Sequence, residues 1–313
     1  MTLPSFVEED ETIGASSEAA QQQRLVVLRH SSTLSPSAPR YIDCVNKRPW
    51  DVPLASNHAT GCVSKAEKLP DIAFGVVAIS PFTCCTETAA AVLPGMNLSP
   101  DVKIFMHRGL SELHSMQHMF PRQSAPTIAQ RFALWRWRSK RDVVPPEFAT
   151  LAGVQVQKHV LGEWPTLPED SNHAGGRFAS AVKELLELAG GRSVLLITHA
   201  DGVENVIHMA RPGATIKSVD YLGHAEIART LPDGSHLKQP SPWHLVEPSP
   251  YGESRCGVDL VSELMSSHER DTSLSAASSS SKWTNDRHRM DEALQNERLA
   301  LESNPWWAMT DGA

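Results

Sequence analysis

The sequence contains few cysteines, and they are not arranged as a disulfide framework or a zinc-binding motif. Five occur in 313 residues: Cys44, Cys62, Cys84, Cys85 and Cys256. Their number is odd, no two are spaced C-x-x-C, and a bridge between the adjacent Cys84 and Cys85 would be strained. We therefore expect a protein of a reducing compartment.

The sequence also lacks a recognisable targeting or membrane segment. The first residues, MTLPSFVEEDETIG, contain neither the basic region nor the apolar region of a signal peptide. No uninterrupted apolar run reaches the length needed to span a bilayer. These absences predict a cytoplasmic protein with no transmembrane segment.

Basic residues are scarce at both ends of the chain. Residues 1–23 contain five acidic residues and no Lys or Arg, and residues 246–313 contain twelve acidic residues against six basic ones. The formal net charge of −7 therefore leaves the region between them at +4. This weakly basic centre suits anionic ligands, and we expect no nucleic-acid partner.

Both ends are also poor in the apolar residues that a core requires. Residues 1–23 are rich in Glu, Ser and Gln, and residues 246–313 contain the low-complexity stretch DTSLSAASSSSK. We expect both to be disordered tails around one domain at 24–245. The composition of residues 285–302 is typical of a helix, which can dock on the domain, bind a partner protein or stay solvated.

Short apolar runs alternate with helical patterns between the tails. Runs rich in apolar and β-branched residues predict strands at 24–28, 75–80, 102–107, 193–199 and 219–228. Helical patterns predict helices at 60–69, 82–93 and 176–189. This alternation favours an α/β fold with three layers, α/β/α, and a mostly parallel sheet.

Polar residues follow four of the strands at the points where the strands are predicted to end. Arg29 and His30 follow the first, residues 80–85 the second, residues 107–112 the third and His199 the fourth. Ligands of parallel α/β sheets bind beyond the carboxyl ends of the strands. We therefore expect these residues to form one site.

Two histidines, an arginine and a carboxylate at one site suit phosphoryl transfer. A neutral imidazole is a nucleophile toward phosphorus, Arg clamps phosphoryl oxygens, and a protonated carboxyl group supplies a proton to the leaving group. A zinc site needs a third ligand and has no use for Arg29, so we expect neither a metal nor a cofactor. The alternative is that His30 and His199 are ordinary loop histidines.

Six segments, in the same order along the chain, resemble the motifs of the histidine phosphatase superfamily, also called phosphoglycerate mutase-like. They span about residues 24–230 and are LRHSST (28–33), RPWDVPL (48–54), SPFTCCTETA (80–89), RGLSEL (108–113), EDSNHAGGRFASAVKEL (169–185) and LLITHADGV (195–203). The second, fourth and sixth are most similar to the branch that includes the suppressors of T-cell receptor signalling and the ecdysteroid-phosphate phosphatases. The resemblance implies a phosphoglycerate mutase-like fold.

The resemblance also implies catalytic roles for four residues. His30 would be the nucleophile and Arg29 a phosphate clamp. His199 would stabilise the transferring phosphoryl group. Glu112 would act as an acid in one step and as a base in the next.

The chain departs from the family at two phosphate-binding positions. Members of the branch usually carry a second arginine four residues after the first, where this chain has Thr33, and a third one in the Ser-Pro segment, where it has Cys84. Free backbone N–H groups of the helix after Ser80, together with the side chain of Arg108, can compensate. Ala200, directly after the second histidine, completes the predicted substrate-binding residues.

These predictions favour a phosphatase that hydrolyses a phosphomonoester, on a small molecule or a phosphoprotein, through a phosphohistidine. Two missing contacts of roughly 1.5–3 kcal/mol each would slow it by on the order of 10²–10⁴. The alternative is an inactive domain that binds a phospho-ligand or a protein partner. A phosphoglycerate mutase is the third interpretation. It is less favoured because a mutase must hold two phosphates, and two phosphate-binding arginines are missing here.

Residues 113–160 are longer than a simple crossover needs and predict a helical insertion over the pocket. Within them, RFALWRWRSKR (131–141) mixes basic and aromatic residues that can bind a phosphorylated aromatic group, a nucleotide or an anionic membrane. The alternative is an amphipathic helix with Phe132 and Trp135 packed inward and its arginines solvated.

Overall fold

The computed structural model of the chain describes residues 21–38, 41, 44, 48–115, 119–120, 126–232, 240–246 and 257–260. All of them fall in a single compact unit. The two predicted tails lie outside the described residues except at their edges, and the predicted helix at 285–302 lies wholly outside them. Among the described residues, no helix is both long enough and apolar enough to cross a membrane.

Strands and helices alternate along most of the described chain. The strands are β1 (Gln22–Arg29), β2 (Phe74–Ile79), β3 (Lys103–Met106), β4 (Thr150–Leu151), β5 (Val154–Gln155), β6 (Ser193–Thr198), β7 (Ile216–Val219), β8 (His224–Thr230), β9 (His244–Leu245) and β10 (Val258–Leu260). The α-helices are α1 (His58–Ala66), α2 (Thr83–Val92), α3 (Ile128–Lys140), α4 (Ser171–Ala189) and α5 (Ala200–Ala210). Short 3₁₀ turns lie at Leu93–Gly95, Arg108–Leu110 and Pro146–Phe148.

The central sheet has six strands in the order β3-β2-β6-β1-β8-β9. The first four are parallel to one another, β8 is antiparallel to β1, and β9 is antiparallel to β8. The predicted α/β class with a mostly parallel sheet is therefore confirmed. Because the four parallel strands run the same way, their carboxyl ends lie along one edge of the sheet.

Apolar side chains alternate between two cores, one on each face of the sheet. Val26 and Leu28 of β1 share one core with residues of α1 and α2, and Leu25 and Val27 share the other with residues of α4 and α5. Strands β2 and β6 are buried along their whole length, as strands covered on both faces must be. Each core lies between the sheet and the helices on one of its faces, which gives the predicted three layers, α/β/α.

Ordered elements extend past the predicted domain boundaries of 24 and 245. Strand β1 begins two residues earlier, at Gln22, and β10 pairs with β7 in a separate two-stranded sheet.

The single strand predicted at 219–228 is wrong, because this segment forms two strands joined by a tight turn. Leu222 in that turn has a positive φ of 59°, which an extended strand cannot contain. The turn is fastened to the end of β1: the Leu222 N–H donates to the His30 carbonyl oxygen at 3.2 Å, and the Arg29 N–H donates to that of Gly223 at 2.8 Å.

Helix α5, with Gly202 in its first turn, is absent from the helices predicted from the sequence. The structure shows why a glycine is needed there. A Cβ on Gly202 would lie 2.5 Å from Cγ2 of Thr198 and 2.9 Å from Cε2 of Phe178. The close approach of α5 to β6 and α4 sets the path of the chain directly after His199.

Helix α3 lies inside the predicted insertion at 113–160, and its buried residues are Leu134 and Trp137. Phe132 and Trp135 are 60% and 62% exposed. The expectation that Phe132 and Trp135 pack inward is therefore wrong. The burial of Trp137 depends on a polar partner for its indole N–H, which is described below.

Candidate active site

Predicted site residues meet where the parallel strands end. His30 follows β1 and His199 follows β6, and their ring centroids lie 5.2 Å apart at an interplanar angle of 69°. Ser80 follows β2 and places its Oγ 3.0 Å from Nε2 of His199. Glu112 follows β3 and places its Oε2 3.9 Å from Nδ1 of His199. Four residues that are far apart in the sequence thus share one site.

His30 is neutral, and its hydrogen bond to the backbone identifies the nitrogen that carries the proton. Its Nδ1 lies 2.7 Å from the backbone carbonyl oxygen of Ser31, and a carbonyl oxygen only accepts, so Nδ1 carries the proton. The lone pair is therefore on Nε2. Burial, the largest effect, and the Arg29 guanidinium together lower the pKa of His30 to about 4, against the raising effect of the Ser31 hydrogen bond. At neutral pH the ring is in the form that a nucleophile requires.

His199 is held through one nitrogen and leaves the other without a partner. Its Nε2 contacts the Ser80 hydroxyl and lies 3.5 Å from Sγ of Cys85. Its Nδ1 is buried and has no hydrogen-bond partner within the described part of the chain. Burial lowers the pKa of His199 well below its usual value, and His30 adds to this effect. A buried polar atom without a partner is costly, so Nδ1 is available to a ligand.

Glu112 is poised to exchange a proton. Its side chain is 43% exposed, yet the surrounding protein withdraws the carboxyl group from water. This desolvation and the nearby Asp201 carboxylate raise the pKa of Glu112 to about 7, against an opposing effect of Arg29. Close to neutral pH, Glu112 can therefore supply a proton and, once ionised, accept one.

The loop that carries Glu112 is held by Arg177 of α4, a residue that the sequence analysis does not single out. Arg177 donates to the carbonyl oxygens of Gly109 at 2.7 Å and Ser111 at 3.0 Å. Two further bonds of 2.8 Å join it to the Glu169 carboxylate. Arg177 and Glu169 both lie in the fifth sequence motif, and this motif was the signal that could have identified them. The carbonyl oxygens that Arg177 binds belong to the fourth motif.

The turn between β7 and β8 positions Arg29. Nη1 of Arg29 donates to the carbonyl oxygen of Val219, and the guanidinium carbon lies 4.2 Å from the ring centroid of Tyr221. Its Nε is buried and has no hydrogen-bond partner among the residues described. The sequence analysis missed Tyr221 because its segment resembled a continuous strand.

Cys84, in the first turn of α2, lies beside the histidine pair. Its Sγ and one ring nitrogen each of His30 and His199 all lie within 4.8 Å of one another. A hydrogen bond with the Cys85 thiol, together with burial, raises the pKa of the Cys84 thiol well above its usual value. Where the family resemblance implies an arginine, this chain therefore holds a neutral thiol at neutral pH.

Arg108 does not reach toward the histidines. Its Nη1 donates to the carbonyl oxygens of Val160 at 3.0 Å and Gly162 at 2.6 Å, and its Nη2 donates to Asp142 at 2.8 Å. These bonds tie the end of β3 to the insertion. Both terminal nitrogens of Arg108 are therefore bound to this region, and its contact with substrate stays a prediction.

The remaining predicted binding residues flank the site along the chain. Thr33 is partly buried and forms an isolated β-bridge with Leu54. Ala200 is the first residue of α5, where backbone N–H groups have no partner within the helix.

Asp51, from the RPWDVPL segment, already caps the N-terminus of α2. Its Oδ1 accepts the Thr83 N–H at 2.7 Å, and its Oδ2 accepts the Thr83 hydroxyl at 2.9 Å and the Trp137 indole N–H at 2.7 Å. Nη2 of Arg141 lies 3.4 Å from the same oxygen. The Thr83 N–H is therefore not among the free backbone N–H groups that α2 can offer to an anion. The same cap fastens the insertion helix α3 beside the site.

Comparisons with known proteins return solved structures but no sequence family. No family model and no curated protein match the chain. One matching structure is the ecdysone phosphate phosphatase from Bombix mori in complex with tungstate, with 17% identity, a TM-score of 0.43, and coverage of 72% of this chain and 92% of that one. Another is a phosphoglycerate mutase from Bacillus anthracis, with 19% identity, a TM-score of 0.41, and coverage of 67% and 88%. A third is a mycobacterial glucosyl-3-phosphoglycerate phosphatase with VO3, with 18% identity, a TM-score of 0.42, and coverage of 72% and 98%. These matches are members of the superfamily that the six sequence segments resemble, and the likeness is remote.

Proposed function

We propose that the protein is a histidine phosphatase that hydrolyses a phosphomonoester, on a small molecule or a phosphoprotein, through a phosphohistidine on His30. The observation that carries this proposal is the pairing of two buried, neutral histidines, 5.2 Å apart, with a carboxyl group whose pKa is raised to about 7. The order of the six motifs supports it. The cytoplasmic location stays a prediction.

In the first step, Nε2 of His30 forms a bond to phosphorus while the bond from phosphorus to the alcohol oxygen breaks. Protonated Glu112 gives its proton to the departing oxygen. If the Ser80 hydroxyl donates to Nε2 of His199, the proton of that ring sits on Nδ1 and can be donated to a phosphoryl oxygen. Arg29 balances the negative charge of the phosphoryl group.

In the second step, the Glu112 carboxylate removes a proton from a water molecule whose oxygen attacks phosphorus. The bond between phosphorus and Nε2 of His30 breaks, phosphate leaves, and the lone pair returns to Nε2. Glu112 ends protonated and His30 ends neutral, so the site is ready for another cycle.

The second candidate function is an inactive domain that binds a phospho-ligand or a protein partner. The neutral thiol of Cys84 favours it, because the resemblance expects a cation there. Measuring phosphate release by the intact chain from a panel of phosphomonoesters, together with vanadate binding, separates the two candidates. Hydrolysis that vanadate blocks supports the enzyme, and vanadate binding without hydrolysis supports a domain that binds a phospho-ligand. The absence of both contradicts these two and leaves only a domain that binds a protein partner.

We expect Arg29→Gln to weaken vanadate binding by about 10- to 100-fold, since a charge-assisted hydrogen bond contributes roughly 1.5–3 kcal/mol. Calorimetric titration of the intact chain measures this change. Arg211→Gln, at an exposed position after α5, is the matched control and should bind vanadate as the unaltered chain does. Unchanged affinity in Arg29→Gln would place the anion elsewhere.

Restoring the missing arginine should strengthen the site. We expect Cys84→Arg to raise kcat/KM by about 10- to 100-fold, with a parallel gain in vanadate affinity, because the new guanidinium would lie beside His30 and His199. Cys84→Ser, which stays neutral, is the control and should show neither gain. Tighter binding without turnover would instead favour the inactive binding domain.

A further inference from the structure

Three side chains of this site are of the types that bind metal ions, and they lie close together. His30, Cys84 and His199 are all buried, and their ligand atoms lie within 4.8 Å of one another. Tetrahedral zinc, with bonds of about 2.0–2.3 Å to nitrogen and sulfur, needs ligand atoms roughly 3.3–3.6 Å apart. The separations therefore need to shorten by at most about 1.2–1.5 Å, which rotations of the three side chains can supply.

We propose that His30, Cys84 and His199 bind a thiophilic divalent cation of the zinc class, which competes with the phosphoryl group for the same site. The sequence analysis set a metal aside because it found only two ligands. The thiol that replaces an expected arginine supplies the third. Metal binding goes beyond the proposed phosphatase activity and does not depend on it, whereas the competition rests on that proposed function.

Both histidines have a nitrogen suited to such an ion. Nδ1 of His30 donates to the Ser31 carbonyl oxygen, so the lone pair of Nε2 is available. A metal-bound histidine commonly donates its other N–H to a backbone carbonyl in this way. Nδ1 of His199 has no hydrogen-bond partner among the residues described. When Nδ1 binds the metal, the proton of the ring is on Nε2, and this N–H can donate a hydrogen bond to the Ser80 hydroxyl 3.0 Å away.

Two acidic groups among and beside the three ligands favour a bound cation, and one arginine opposes it. Binding breaks the S–H bond of Cys84, forms a metal–sulfur bond and releases one proton to solvent, leaving a thiolate. Glu112, 3.9 Å from Nδ1 of His199, adds a second negative charge when it is ionised. Arg29 opposes the cation, but its Nη1 is bound to the Val219 carbonyl oxygen and its guanidinium is stacked over Tyr221.

Metal binding and phosphohistidine formation exclude each other, because both use the lone pair of Nε2 on His30. The set of three protein ligands leaves a fourth position open, as in catalytic rather than structural zinc sites. A cation bound by the three side chains would block the nucleophile and leave the fourth position for a water molecule.

Cobalt(II) is the probe for this site, because it takes tetrahedral nitrogen and sulfur ligands as zinc does and is coloured. We expect the reduced, intact chain to show an intense near-ultraviolet thiolate-to-cobalt band and the visible bands of tetrahedral cobalt, and added Zn²⁺ should remove both. Cys84→Ser should lose the near-ultraviolet band. It should also weaken zinc binding by more than about 10- to 100-fold in competition with a chromophoric chelator, since even the loss of an outer-shell partner costs that much.

Cys85→Ser is the matched control and should keep the band, since Sγ of Cys85 lies 3.5 Å from the other nitrogen of His199 and donates to the Thr198 carbonyl oxygen. His30→Ala, which keeps every thiol, should lose the tetrahedral visible bands, and circular dichroism verifies the fold of each variant. The proposal is overturned if the unaltered chain shows no thiolate band, if Cys84→Ser keeps it, or if Cys85→Ser loses it. These optical readouts do not involve turnover, so they stand whether or not the chain is a phosphatase.

Discussion

Replacing His30 with alanine is expected to lower phosphate release to the background rate, a loss of at least about 10³-fold. The reason is that in the proposed mechanism Nε2 of His30 bonds to phosphorus, and alanine leaves no nucleophile in its place. His199, whose ring lies 5.2 Å away, is positioned by Ser80 and does not take over.

The covalent intermediate provides a direct measurement. After rapid quenching in alkali, the intact chain should carry label from a labelled phosphomonoester, and this label should be stable in base and labile in acid. His30→Ala should carry none. His208→Ala, which removes an exposed histidine of α5, should carry as much as the unaltered chain. Alkali-stable label that persists without His30 would rule out the proposed mechanism.

The second large effect is expected from Glu112→Gln, which removes the proton donor while keeping the shape of the side chain. For alkyl phosphates, whose leaving groups need a proton, kcat/KM should fall by about 10²–10⁴. For para-nitrophenyl phosphate, whose leaving group does not, phosphorylation of His30 should continue. Its hydrolysis should slow instead, because the base that activates water is gone.

Rapid-quench kinetics distinguish these steps. Glu112→Gln should accumulate phosphohistidine during turnover of para-nitrophenyl phosphate and show a burst of para-nitrophenol. Glu187→Gln, on a side chain of α4 that is 68% exposed, is the matched control and should behave as the unaltered chain. Equal losses for both substrates, with no burst, would contradict the assignment of Glu112 as acid and base.

The pKa values of Glu112 and His30 predict how the rate of the proposed phosphorylation step depends on pH. Phosphorylation needs protonated Glu112, so its rate should fall as pH rises through about 7, and it needs neutral His30, so the rate should fall as pH drops through about 4. Asp201, whose pKa burial raises to about 6, ionises within this range and helps to hold the proton on Glu112. For alkyl phosphates, Glu112→Gln should lose the limb near pH 7 and keep the limb near pH 4.

The sequence by itself determined the fold class and the edge of the sheet at which the polar residues gather. Buried parallel strands must be apolar along their length, so β1, β2, β3 and β6 stand out as apolar runs. The ends of those runs locate His30, Ser80, Glu112 and His199 at one edge, because parallel strands end together. Both statements depend only on local patterns and on the geometry of a parallel sheet.

The tertiary structure decided what sits next to each of these residues, since the deciding contacts join segments far apart in the chain. The turn at Leu222 holds Arg29, and Arg177 holds the loop of Glu112 through carbonyl oxygens that no side-chain pattern reveals. Arg108 is taken up by the insertion rather than by the site. Cys84 occupies the position of a missing arginine in the sequence, and only the tertiary structure places its Sγ beside ring nitrogens of the two histidines. Such distances are set by how helices pack on the sheet, and sequence spacing does not encode that packing.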